Sequence, residues 1–203
     1  MLAGMAKVLG SLAPGMLIAA PPLGDPNFDR TVVLLAVHGD EGALGFVVNR
    51  LAPMSLAELL VLAGYGAAAE AESTPVYLGG PVQPSSGWIV CVDPGLPVGD
   101  GVLAVGSRIR VVSSRDAFEA LVRDLSGPPA AAPDAARRIV LLGYSGWAPG
   151  QLEKEIATGA WLPVPLDEGI LFDVALSQKW ERAYALLGVS PAGFISMRSA
   201  GEA

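Results

Sequence analysis

The sequence predicts an α+β fold built on a mixed β-sheet, in a single domain spanning residues 1–203. Three observations lead there. Several apolar runs are continuous rather than alternating, the pattern of strands buried on both faces. About four helical stretches carry recognisable start and stop signals. Strands and helices do not alternate in the regular order that a doubly wound sheet requires. A chain of 203 residues is long enough to bury one stable core.

The strand candidates, in order, are GMLIAA (15–20), TVVLLAVH (31–38), ALGFVVN (43–49), PVYLGG (75–80), GWIVCV (87–92), VLAVG (102–106), IRVV (109–112) and RIVLLGYS (138–145). Between the second and third lies HGDEGALG (38–45), whose short polar loop with glycine predicts a hairpin. The first helix opens on the capping box Ser55-Leu56-Ala57-Glu58, carries Leu56, Leu59, Leu60 and Ala63 at helical spacing, and stops at Gly64. A second starts near Ser113, with Phe118, Leu121, Val122 and Leu125 on one face and Gly127-Pro128 at its end. A third runs from about Gly150 to Thr158, and a fourth covers 177–188, closed by Gly188. The Ala/Pro-rich stretches 65–74 and 127–136 read as surface loops within the domain.

The first residues test for targeting. From Val8 to Gly24 there is no charge, but Pro14, Pro21 and Pro22 interrupt the run, which excludes a spanning helix. Lys7 sits too late for a signal peptide, so residues 1–13 are expected to form a flexible N-terminal extension of a cytoplasmic protein, with no membrane partner. Twenty acidic residues against 13 basic give a net charge of −7, and the densest basic spots are Arg137-Arg138 and Arg108 with Arg110. Direct nucleic-acid binding, which draws on phosphate neutralisation, is disfavoured. Cys91 is the only cysteine, so neither an intrachain disulfide nor a multi-cysteine metal site can form.

One stretch invites a catalytic reading: GYSGWAPGQLE (143–153), which follows the apolar run RIVLL. A nucleophile elbow has the form G-x-S-x-G, with a second glycine that lets the backbone pass close to the serine. Trp147 stands at that position, and His38 is the only histidine to serve as base. The serine is therefore read as part of a turn: Gly143 and Gly146 give tight backbone geometry, and Trp147 packs into the core. His38 ends a predicted strand and reads as structural, with a pocket histidine as the functional alternative. In YLGGPV, Gly79, Gly80 and Pro81 lack phosphate-loop spacing. They predict a sharp bend or a close approach of backbone, whose use would be to offer main-chain N–H groups to an anion. Pro149 and the acids Glu153 and Glu155 suit the first turns of a helix, from which Gln151 and Glu153 project on opposite sides. No paired-carboxylate site follows from spacing alone.

Taken together, the motifs MLIAAPPLGDPNFDRTVVLLAVH, GALGFVVNR, VYLGGPV, LGYSGWAPGQLEKEI, AWL, ILFD and KWERAYALLG closely resemble those of the YqgE/AlgH family of small bacterial proteins, from about residue 14 to the C-terminus. The resemblance implies a bifurcated, partly barrel-like sheet packed around a central helix. It implies little chemistry, since the family's molecular activity is not established, although relatives carry the label of transcriptional regulators. It also implies that the position of Ser145 accepts alanine, which a nucleophile would not. The expectation is thus a non-enzymatic binding or regulatory protein, without cofactor, metal or catalytic residues, acting through a protein partner or small ligand. Its surface is expected to involve His38, Asn49, Gly79, Gly80, Pro81, Tyr144, Gly146, Trp147, Gln151 and Glu153. The alternatives are an enzyme using His38 with a carboxylate such as Glu153 in a shared pocket, and a regulator that binds DNA.

Overall fold

Residues 15–19 enter the fold as an uninterrupted apolar strand because both edges and both faces of it are covered. In the computed structural model, which describes residues 11–65, 71, 74–113, 119–120 and 137–194, strand β1 (Gly15–Ala19) is buried throughout. It pairs antiparallel with β2 (Val32–Gly39) on one edge and β10 (Trp161–Pro165) on the other. Strand β2 turns through Asp40-Glu41 into β3 (Gly42–Val47), the predicted hairpin. The C-terminal end of β9 (Arg138–Trp147) pairs with β3, matching Ala43 with Trp147 and Gly45 with Ser145. These strands belong to one of two compact units, formed by the chain up to Asn49 together with Ser145 onward. Its helix α2 (Gln151–Ala157) buries Leu152 against Leu17, Val33, Leu35, Val47, Trp147 and Trp161. Helix α3 (Leu176–Ala185) lies along β1 and β2.

The second unit spans Arg50–Tyr144. Here β4 (Leu51–Ser55), β5 (Pro75–Leu78), β6 (Val82–Val92), β7 (Val102–Val105) and β8 (Ile109–Val112) surround the first part of β9. Strand β9 pairs parallel with β5 and antiparallel with β6, while β8 and β7 extend the β6 side and β4 the β5 side. This unit's strands are therefore paired both parallel and antiparallel, the mixed sheet that the α+β expectation has. Helix α1 (Leu56–Leu62) starts with the predicted capping box, Ser55 and Glu58 each satisfying the other's backbone N–H. It lays Leu56, Ala57 and Leu60 on Val76, Ile89, Val140 and Leu142. None of the described helices is long and apolar enough to cross a membrane.

Several elements differ from the sequence reading for definite reasons. Strands β4 and β10 were not expected, because prolines at 53, 163 and 165 mask their apolar pattern; among the described residues each pairs along one edge only, where proline is tolerated. Strand β9 runs two residues past Ser145, so the strand-to-helix turn falls at Pro149-Gly150, with Gly150 at φ +72°. A turn of π-helix, Gly169–Asp173, precedes α3 and was not foreseen. The expected extension, residues 1–13, is tied down at its end: Leu12 and Ala13 pack on the first unit's core. The helix expected from Ser113 is described only at residues 119–120, and the loop 127–136 lies outside the described residues, as does most of 65–74.

Candidate functional site

The side chains of Trp147, Gln151, Glu153 and Glu155 meet around helix α2, whose two sides carry different partners. Gln151 and Glu155 are four residues apart and share a face, while Glu153 points the other way. Gln151 folds back to cap the turn: its Oε1 accepts from the Ala148 N–H at 3.0 Å, and its Nε2 donates to Glu155 Oε1 at 2.8 Å. The other oxygen of Glu155 accepts two indole N–H groups, from Trp147 at 2.9 Å and Trp161 at 2.8 Å. The two indoles meet edge to face with centroids 5.8 Å apart, and Phe28 packs on Trp161 at 5.2 Å. Glu155 thus lets two large rings enter the core with their polar N–H groups satisfied. It was not among the expected site residues, although its i+4 spacing from Gln151 was available as a signal.

On the opposite side of α2, Glu153 Oε1 lies 3.2 Å from Nε2 of His38, near the end of β2. The imidazole is 6% exposed. Its other nitrogen, Nδ1, accepts the Leu12 backbone N–H at 3.1 Å, and Ser11 Oγ donates to the His38 carbonyl at 3.2 Å. A nitrogen that accepts a backbone N–H carries no proton, so this bonding pattern assigns the ring proton to Nε2, facing Glu153. The structure thus brings His38 and Glu153 into contact. In a catalytic triad, however, the imidazole turns one nitrogen to the carboxylate and the other to the nucleophile. Here the second nitrogen is held by backbone. Ser145 is 1% exposed within β9, opposite Gly45. A side chain at Gly45 would come within 2.6 Å of Val33 Cγ1 and 2.9 Å of the Leu34 carbonyl, so the chain is tightly packed on this side too.

Asn49 is a backbone brace. Its Oδ1 accepts from the Val32 N–H and its Nδ2 donates to the Arg30 carbonyl, both at 2.8 Å. Arg30 itself adopts φ +52°, a left-handed conformation rare for an arginine. In the second unit, Gly79 and Gly143 bring two backbone segments together. The Gly79 N–H donates to the Leu142 carbonyl at 2.7 Å, and a Cβ at Gly79 would meet the Gly143 carbonyl at 2.4 Å. Gly143 has φ +69°, and a Cβ there would fall 2.6 Å from the Gly80 carbonyl. The Gly-Gly-Pro turn is thus a close backbone approach, with Pro81 exposed and Tyr144 edge to face on Trp88 at 5.8 Å. Cys91 is pushed up to about 11, chiefly by burial and then by Asp93, against the pull of Arg110 and Arg138, so it stays a thiol at neutral pH.

A match to the family model described as AlgH-like (DUF179) covers residues 16–192. The chain belongs to the AlgH-like family. An AlgH-like relative, a UPF0301 protein of Anaeromyxobacter sp. strain Fw109-5, is 46% identical over 191 residues, covering 91% of this chain and 92% of its own. Another, from Xanthomonas campestris pv. campestris strain B100, is 39% identical over 180 residues, covering 88% and 90%. The solution structure of AlgH from Pseudomonas aeruginosa matches with a TM-score of 0.73 and 34% identity over 94% of each chain. A crystal structure from Corynebacterium diphtheriae shares the AlgH-like fold at a TM-score of 0.63 and 21% identity. Within this AlgH-like chain the described residues hold no group of three or more His, Cys, Asp or Glu placed to bind a metal ion.

Proposed function

We propose that this AlgH-like chain works in the cytoplasm as a non-enzymatic binding or regulatory protein, acting through a protein partner or a small ligand. One observation carries the reading. Both ring nitrogens of the sole histidine are engaged inside the fold, by the Leu12 N–H and by Glu153. The neighbouring motif groups are engaged in the same way: Gln151 and Glu155 serve Ala148, Trp147 and Trp161. A general base needs a free lone pair within reach of substrate, and the motif's polar atoms hold the fold together instead.

Native mass spectrometry of protein purified gently from its own host tests this reading. A stoichiometric mass that leaves on denaturation, or a partner chain in fixed ratio, is expected. The second reading, an enzyme drawing on the His38–Glu153 pair, has the 3.2 Å contact behind it and requires Leu12 to withdraw from Nδ1. Turnover of any substrate that disappears in His38→Ala, with circular dichroism unchanged, would replace the binding reading with that one. Direct DNA binding is disfavoured by the net charge of −7. Arg110, in one of the densest basic spots, is occupied as well, donating to the carbonyls of Leu96, Ile109 and Pro94. Salt-sensitive retardation of DNA by the purified protein would restore the regulator reading.

A further inference from the structure

Against α3 the first unit carries an open cleft of about 730 Å³, within the size range of small-molecule sites. Its lining combines three features. Arg30 brings a guanidinium and sits 5.6 Å from the centroid of the Trp180 ring. Trp180 is fixed in turn, because its Nε1 donates to the Ala19 carbonyl at 2.9 Å and its ring packs edge to face on Tyr184. Asp29 and Glu181 line the same cleft with negative charge, and Val189 and Pro191 supply apolar wall.

The position of Arg30 is built rather than incidental. Its φ of +52° is one that L side chains rarely adopt, and Asn49 holds it by bonding the Arg30 carbonyl and the Val32 N–H together. The stacked guanidinium presents planar donors suited to a carboxylate. A purely anionic ligand would meet Glu181, and a purely cationic one would meet Arg30. A ligand with both charges satisfies both.

We propose that this cleft binds a small zwitterion of the amino-acid type, with its carboxylate on Arg30, its ammonium toward Glu181, and an apolar side chain against Val189 and Pro191. The proposal rests on the reading of the chain as a binding protein. It is tested by titrating the full-length ¹⁵N-labelled protein with L-phenylalanine and with L-leucyl-L-leucine, beside the N-acetylated and C-amidated form of each. The signals followed are the four indole N–H groups, with Trp180→Phe assigning the relevant one. Saturable movement of the Trp180 signal is expected, with about tenfold or more weaker binding for either blocked form. Saturation by only one probe supports the class and decides between a free amino acid and a peptide end. Arg30→Gly, which suits the left-handed backbone and so preserves the fold, and Glu181→Gln should each weaken binding about tenfold. Equal binding of blocked forms would overturn the charge assignment, and saturation without movement at Trp180 would overturn the location. If no probe saturates, the inference fails, while a retained mass in native spectrometry would leave the binding reading standing.

Discussion

Glu155 shows how one side chain can decide the fate of an entire motif. Its carboxylate takes the N–H groups of Trp147 and Trp161 and the amide of Gln151. Bonds to a charged acceptor contribute about 1.5–3 kcal/mol, and orphaned buried donors cost about 1–3 kcal/mol each. Glu155→Ala should therefore destabilise the protein by roughly 3 kcal/mol, read as a lower urea midpoint with altered tryptophan emission. Tyr184 is the opposite case. Its hydroxyl is buried with no hydrogen-bond partner among the described residues, and burial pushes it up to about 12. Tyr184→Phe removes an unsatisfied group while keeping the ring that packs on Trp180, so it should stabilise by about 1 kcal/mol. A lower melting temperature in that variant would mean the hydroxyl is bonded in solution.

Among the elements, the prolines explain what escaped sequence reading, and the glycines explain what did not. Strands β4 and β10 carry Pro53, Pro163 and Pro165, and only their pairing with β5 and β1 makes them strands. Pairing is non-local, so no window of sequence contains it. The glycines of YLGGPV, by contrast, announced a close backbone approach, and Gly79 stands against Gly143. Gly79→Ala should cost about 3 kcal/mol or more, since the clash is with backbone that cannot rotate away. Gly39→Ala, at a hairpin position with nothing within 4 Å of the new Cβ, should change stability by less than about 0.5 kcal/mol. Similar losses for both, measured by chemical denaturation, would show that the contact at Gly79 relaxes freely.

For the whole molecule, Lys179 links protonation to folding. It is 2% exposed, donates to the Leu171 carbonyl in the π-helical turn, and is lowered to about 8 by burial, partly offset by Asp173. Its folded value lies below the unfolded 10.5, so between pH 8 and 10.5 the unfolded chain binds more protons. Stability from this group therefore rises with pH across that window. The wild type should gain roughly 3 kcal/mol over Lys179→Met between pH 7 and 10.5; parallel pH profiles of the two proteins would refute it. Subtracting the variant matters, because Cys91 and Tyr184, both raised by burial, lower stability at higher pH in each protein. The sequence by itself determined the α+β class, the principal strands, the capped helix at Ser55 and the family, since local periodicity and short motifs encode these. Trp147 in place of glycine also argued against a nucleophile elbow at Ser145, which the structure buries within β9. Only the tertiary structure decided that Leu12 closes His38, that Glu155 gathers two indoles, and that Arg30 stacks on Trp180, residues 150 positions apart. Those contacts come from strand pairing and helix packing, which join distant segments by shape and polar satisfaction that no local pattern records.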